Sequence, residues 1–317
     1  MTKRVAKRTY GVDVAKAWLD IHSAEDNEVV RIDNDVGAIE RWLRSLCGPV
    51  RLSVEATNTF HELFIAHAYQ QGHHVYVVDA LKLSRYRDAV GCRAKTDQHD
   101  AALLARYLCR EYQQLKLWKP LDLRQTAFWR MLKRRATVVH TSTRLRQSLT
   151  DLGMLDSASK ALIEHCQQLI RQLERELMAS ARELGWVEEL KYSRSIPGIG
   201  PLSAMGLVAA FHRGTFRSAD AFIAFLGLDV RVRDSGRFRG RRKLTKKGEP
   251  EIRRLLYNAA MAACRDPYWK PYYLSLRNRG FSGTAALVAL SRKLARVAFA
   301  LLSQQTSFTP KPRTGLA

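Results

Sequence analysis

Residues 95–108, KTDQHDAALLARYL, carry two carboxylates three positions apart where a helical pattern begins. Asp97 and Asp100 therefore share one helical face. This allows two readings. Acids belong in a first turn because they complement the helix dipole, and two acids on one face can also hold a divalent cation. The second reading needs more carboxylates, and the chain offers two. Asp13 lies in the apolar, strand-like stretch YGVDVAK, and Glu55 closes RLSVE. A charge inside an apolar strand is costly unless it is paired or bound to metal. Four carboxylates suit two Mg2+ ions, with Mn2+ as a substitute, because such ions take hard oxygen ligands. Two ions of this kind can activate a nucleophile and stabilise a leaving oxygen in phosphodiester cleavage. The plainer roles stay open: a turn or edge residue for Asp13, a cap or salt-bridge partner for Glu55.

A second chemistry is suggested by RVRDSGRFRGRRK. Ser235 stands beside Gly236 among arginines. A serine in a glycine-containing turn presents its hydroxyl freely, and the arginines would bind a phosphate and stabilise its transition-state charge. A turn serine in a phosphate-binding loop accounts for the same residues. Arg237, Arg239, Arg241, Arg242, Lys243, Lys246 and Lys247 are read as phosphate contacts, which position nucleic acid without reading its sequence. Arg85, Arg87 and Lys95 before the acidic helix, and Arg134 and Arg135 further on, are read the same way. In SIPGIGPLSAMGLVAAF, Gly198 and Gly200 form a tight turn between helices. This looks like a helix-hairpin-helix element, in which backbone N–H groups and the next helix N-terminus approach a phosphate; PGIG also serves as an ordinary turn. Trp269, Tyr272 and Tyr273 read as core packing before base stacking. His73 and His74 have no partner ligand at metal spacing and read as ordinary surface or strand-start residues; His99 lies between Asp97 and Asp100 in sequence but on another helical face, and is not read as a ligand.

Bulk charge agrees with a polyanionic partner. The 317 residues hold 53 Lys+Arg against 30 Asp+Glu, a net +23, which points to nucleic acid. The excess is clustered: residues 124–146 have seven Lys/Arg and no acid, and residues 231–254 have eleven against three acids. The five cysteines are scattered without a CxxC pair, so neither a disulfide framework nor a zinc site is indicated. No apolar run reaches the roughly 18 residues of a membrane span, and the basic N-terminus runs into a strand-like segment without a signal peptide. A cytoplasmic, nucleoid-associated protein without a membrane partner is expected.

The positioning elements follow from periodicity. RTYGVDVA, AWLDIHSA, EVVRIDN, VRLSVEA and HHVYVVDA read as strands. DVGAIERWLRSLC, with Asp35 as N-cap, and TFHELFIAHAYQQG read as helices among them, which makes an α/β unit. LKLSRYRDAVGCRAK reads as a basic, partly irregular segment. Residues 122–185 hold no Pro and only two Gly, Gly153 and the closing Gly185, and read as two long helices, a coiled-coil connector or a hairpin packed on its own domain. From 193 the chain is mainly helical, with a basic loop or hairpin at 229–250 and a frayed tail. The domains expected are 1–121, 122–190, 191–305 and the tail 306–317.

The segments GVDVAK, SVEATNTF and KTDQHDAALLA resemble, in order, the motifs of the DEDD transposases of insertion sequences, a family that includes the Piv/MooV site-specific recombinases. The stretch from SIPGIGPLSAMGLVAAF through DSGRFRG to LTKKGEPEIRRLLYNAA resembles that family's second conserved domain, so the likeness spans nearly the whole chain. It implies a ribonuclease H-like, resolvase-like N-terminal domain and a DEDD tetrad of Asp13, Glu55, Asp97 and Asp100. It also implies Ser235 as a nucleophile, assisted by the tetrad across a subunit interface. The implied activity is cutting and rejoining of target and donor DNA by a homo-oligomer, dimer or tetramer, guided by a noncoding bridge RNA. Two departures stand near the tetrad: Asn58 where the family usually has Gly, and Asp79-Ala80 where it usually has Asn-Pro. The rival functions are a Holliday-junction-type endonuclease that only hydrolyses, and a non-enzymatic nucleic-acid-binding protein.

Overall fold

The computed structural model describes residues 8–56, 59–91, 97–120, 122–150, 156–231, 234–235, 238–239 and 242–310. The chain divides into two compact units, Met1–Pro120 and Leu121–Ala317. In the first, strands β1 (Thr9–Val14), β2 (Trp18–Ser23) and β3 (Val29–Asp33) form an antiparallel meander. Helix α1 (Val36–Arg44) crosses to β4 (Arg51–Glu55), and α2 (Glu62–Gln70) leads to β5 (His74–Val78). Strand β4 runs parallel to β1 and β5 parallel to β4, in the sheet order β3-β2-β1-β4-β5. Helices α3 (Ala80–Ala89) and α4 (Asp97–Glu111) come last.

Alternation along the strands assigns the two faces. Tyr10, Val12, Val14, Leu19 and Ile21 pack with Ile39 and Leu43 of α1 and Phe64, Ile65 and Ala68 of α2. Asp35 caps α1 by accepting from the Ala38 N–H at 2.8 Å. The other face takes α4. Gly11 lies beneath it so closely that an added Cβ would overlap the carbonyl oxygen of Ala101 and the amide nitrogen of Ala105. Ser53, paired with Gly11 across β1 and β4, donates its hydroxyl to the Leu104 carbonyl at 2.9 Å.

The segment expected to be basic and partly irregular is instead helical at α3. Asp79 caps it by accepting from the Lys82 N–H at 3.1 Å, and Leu83 anchors it against Val78, Leu103 and Leu104. The departure Asp79-Ala80 is thus a working helix start. Asn58 lies outside the described residues.

The second unit is mostly helical: α5 (Leu123–Ser148), α6 (Asp156–Glu183), α7 (Val187–Arg194), α8 (Pro201–His212) and α9 (Ala219–Phe225) come first. Short strands β6 (Val230–Arg231), β7 (Asp234–Ser235), β8 (Phe238–Arg239) and β9 (Lys243–Leu244) come next, then α10 (Pro250–Ala263), α11 (Lys270–Asn278) and α12 (Gly283–Gln304). Phe128, Trp129 and Leu132 of α5 and Leu177 and Ala181 of α6 enter the same core as α8, α10 and α12. The N-terminal part of α5 and the C-terminal part of α6 are therefore rooted in this unit. Trp269 is part of that core. The tail is docked as far as Phe308, whose ring stacks on Trp269 and whose N–H donates to the Ser195 hydroxyl at 2.7 Å. An aromatic side chain with an apolar partner explains why this stretch, read as frayed, is held. No described helix is long and apolar enough to cross a membrane.

Candidate active site

The two-residue period carries the argument from Gly11 and Ser53 to the acids. Asp13 and Glu55 lie two positions further along β1 and β4, hence on the face that α4 covers and at matching ends of parallel strands. Both are partly exposed. Asp100, in the first turn of α4, is 7% exposed and takes the Arg87 guanidinium at 2.6 Å. Arg87 sits on α3, which leaves the sheet at that same edge after β5. Asp97 opens α4, and its side chain lies outside those described. Among the described residues no three acids, histidines or cysteines lie close enough to hold one ion. The donors offered at this edge are nonetheless carboxylate oxygens, the chemistry a hard divalent cation takes. A nearly buried carboxylate that already requires a cationic partner fits such an ion.

Gly11 and Asp20 were missed in the sequence. Gly11 precedes Val12-Asp13 inside a strand, and an interior strand glycine signals a close backbone approach. Asp20 stands directly opposite Asp13 in the β1–β2 register, on the same face and 1% exposed. Like charges directly opposite destabilise a sheet. Here Arg31 of β3 holds both Asp20 oxygens, Nε at 2.8 Å and Nη2 at 2.7 Å. Two residues on, His22 is buried and its imidazole is pushed below its ordinary pKa by desolvation.

The histidine expectations divide. His99 is exposed, but His73 is buried and its Nδ1 accepts the Val50 N–H at 3.3 Å. It ties β4 to the start of β5 and is no surface residue.

In the second unit the basic segment is a hairpin with a fixed root. Thr245 N–H donates to the Asp229 carbonyl at 3.0 Å and Lys246 N–H to that of Gly227 at 3.2 Å. The Thr245 hydroxyl bonds the Asp229 carboxylate. Gly227, at φ +68°, and Gly248 pass so closely that a Cβ on either would meet the other's backbone. Arg253 adds a 2.7 Å bond to the Gly248 carbonyl. Strand β6 pairs with β9 and β7 with β8, with Ser235 opposite Phe238.

The expected phosphate contacts separate into three groups. Arg85, Arg134, Arg242, Lys243, Lys246 and Lys247 are exposed. Lys95, Arg237 and Arg241 lie outside the described residues, as do the side chains of Ser235 and Arg239. Arg87 and Arg135 are correctly basic but turned inward: Arg87 serves Asp100, and Arg135 bonds Glu174 of α6 at 2.6 Å and faces Glu251 of α10 at 3.5 Å. Gly198, at φ +90°, packs on Ala263, where a Cβ would not fit, so its first duty is the contact of the α7–α8 turn with the end of α10. Gly200 is exposed at the N-cap of α8.

Acids on one face of a mixed sheet, together with a basic hairpin on a helical unit, define a class of DNA-processing enzymes. Comparison with known proteins makes the class specific. A family model described as Transposase, that of the IS110-type DEDD transposases, matches residues 10–159. A second, described as Transposase IS116/IS110/IS902 family, matches residues 191–274. The chain is 27% identical to the Pilin gene-inverting protein of Moraxella bovis, over 96% of this chain and 98% of that one. It is 25% identical to the Probable family 20 transposase of Pseudomonas aeruginosa, over 95% and 98%. The chain belongs to the IS110 family of DEDD transposases and is a DNA transposase of an insertion sequence.

Proposed function

We propose that this transposase is a site-specific recombinase that cuts and rejoins DNA through a covalent serine link. The observation that carries it is the placement of Asp13 and Glu55 at matching ends of parallel strands, on the face that α4 covers. The sheet order β3-β2-β1-β4-β5 supports a ribonuclease H-like fold. Asp13, Glu55, Asp97 and Asp100 are the residues that would hold Mg2+. Bound there, the ion would stabilise the charge that develops on the transferring phosphate. The Ser235 hydroxyl attacks phosphorus and loses its proton to water; the strand's bridging oxygen leaves and takes up a proton from water to become a hydroxyl, and a phosphoserine ester retains the bond energy. A second strand's hydroxyl then attacks that ester and releases the serine, so rejoining needs no ATP. Exposed Arg242, Lys243, Lys246 and Lys247 flank the hairpin and suit the phosphate backbone.

The domains read as 1–121, 122–190 and 191–305, with the PGIG turn as a helix-hairpin-helix element. The connector is the oligomerising arm. Leu162 and Leu169 on α6 are exposed, 46% each, and seven residues apart, the spacing of a coiled-coil seam. Target choice by base pairing with a noncoding RNA suits a protein that grips backbone, and a cytoplasmic, nucleoid-associated location follows from its substrate.

The test is strand exchange on element-end DNA with Mg2+ and the element's own RNA, then trapping and mapping of any protein–DNA adduct. An adduct on Ser235 that is lost in Ser235→Ala and in Asp97→Ala is expected. Cleavage without an adduct indicates the purely hydrolytic endonuclease. Binding without cleavage in any divalent cation indicates the non-enzymatic binder.

A further inference from the structure

Of the six tryptophans, Trp42 and Trp118 are partly buried and Trp129, Trp186 and Trp269 are buried. Trp18 alone is exposed, at 38%. Single exposed apolar residues are ordinary on a protein surface, so it is the position of this ring that gives it weight. Trp18 opens β2, where its carbonyl accepts the Ala15 N–H at 3.0 Å. Asp20, two residues on, is the register partner of Asp13. Trp18 is thus the diagonal neighbour of Asp13 on the same face, a separation of about 7–8 Å by sheet geometry. That is about two nucleotide steps along a strand, at roughly 3.4 Å each.

The ring is also paired with a cation. The Arg31 guanidinium lies 5.1 Å from its centroid. Arg31 is itself anchored, because both oxygens of the buried Asp20 hold it. Asp20 therefore has an evident purpose on a face crowded with acids: it fixes a guanidinium beside an indole, at the rim of the carboxylate edge. A planar ring with an anchored positive charge beside it is a surface for a base and its phosphate.

We infer that Trp18, backed by Arg31 and Asp20, is a stacking platform for a nucleobase adjoining the phosphate that the carboxylate edge addresses. The inference rests on the catalytic role proposed for that edge. The occupant is a base of an unpaired or frayed strand, because a paired base has no free face to offer. A chain of net charge +23 would draw the strand in.

The test uses full-length protein with single-stranded and frayed element-end oligonucleotides carrying 2-aminopurine at successive positions, in EDTA so that no strand is cut. Wild type quenches the probe at one or two positions. Trp18→Ala should abolish that quenching and weaken binding by roughly 5- to 150-fold, the range for losing one stacked base. Trp18→Phe should restore most of it. The slope of affinity against salt should not change, because no phosphate contact is removed. Trp18→Leu keeps apolar bulk without an aromatic face and guards against a folding defect. If folded Trp18→Leu binds and quenches like wild type, or if a second protein copy rather than DNA protects Trp18, the inference is overturned while the carboxylate reading stands. A wild type that neither binds nor exchanges strands overturns both.

Discussion

The Arg87 guanidinium meets the Asp100 carboxylate at 2.6 Å, with side chains 16% and 10% exposed. Helix α3 therefore supplies the positive charge that lets an acid sit almost buried in the first turn of α4. Removing one partner of such a pair leaves the other uncompensated. Arg87→Gln is expected to cost about 3 kcal/mol, and millimolar Mn2+ should recover more stability in the variant than in wild type. Thermal unfolding with and without the ion measures this. Equal shifts in both proteins would mean that the ion does not reach Asp100.

Gly11 sets how closely α4 approaches the sheet. Gly11→Ala places a methyl group against the backbone of Ala101 and Ala105, which cannot move without shifting the whole helix. Overpacking of this kind costs about 1–3 kcal/mol. The strand-exchange rate should fall further than stability alone predicts, since Asp97 and Asp100 ride on the displaced helix. Ile39→Val, on the opposite face and costing about 1 kcal/mol, is the control; if it impairs exchange equally, Gly11 has no special role.

His73 makes the first unit sensitive to acid. Burial, then the neighbouring His74, lower its pKa from the ordinary 6.5. The unfolded chain therefore binds more protons as the pH drops below 6.5. The contribution of the neutral ring is complete above that value and declines as pH falls toward the folded-state pKa. Protonation of Nδ1 also removes the acceptor for the Val50 N–H. Hydrogen exchange at Val50 should accelerate, after correction for intrinsic rates, as the pH falls below 6.5 toward the lowered pKa of the folded state. His73→Asn, which can keep an acceptor there, should flatten the dependence.

Glu251 of α10 ties that helix to α5 through Arg135, which in turn bonds Glu174 of α6. It is 4% exposed, receives two 2.7 Å bonds from Arg254 and faces Arg135 at 3.5 Å. Glu251→Ala should lower the stability of this unit by about 3 kcal/mol. Arg135→Ala should likewise destabilise while leaving the salt slope of DNA binding unchanged. Arg134→Ala, one residue away and exposed, should reduce that slope by about one at little cost in stability.

The strands and most helices were legible because their apolar positions repeat with a period of two or near 3.6 residues. Helix α3 was not: only Leu83 is buried in it, so no apolar stripe announces it, and its clearest mark is the cap at Asp79. Asp13 and Glu55 stood out by their apolar strand settings and Asp97 and Asp100 by their helical spacing, and their order resembled that of a known family. Their surroundings were not legible. Asp20 becomes adjacent to Asp13 only through the β1–β2 register, and Arg87 reaches Asp100 through a helix that periodicity did not reveal. Counting positive charge overstated the nucleic-acid surface, because a sequence does not distinguish Arg135, turned toward Glu174, from Arg134, turned toward solvent.

The hairpin that carries Ser235 is clamped at Asp229 and Thr245 and extends from there. Ser235 lies six positions beyond Asp229, a reach of at most about 20 Å at strand spacing. A stiff hairpin on such a root would act as a lever with a fixed pivot. A tilt of about 5° at the pivot would move a tip at that reach by nearly 2 Å, and misplacement of about 1 Å can cost on the order of a hundredfold in rate. Under the role proposed for Ser235, Gly227, Gly248 and Arg253 need touch no DNA to influence where that serine arrives. Control over the reaction can therefore be exercised at the hairpin's root, by anything that leans on those three residues.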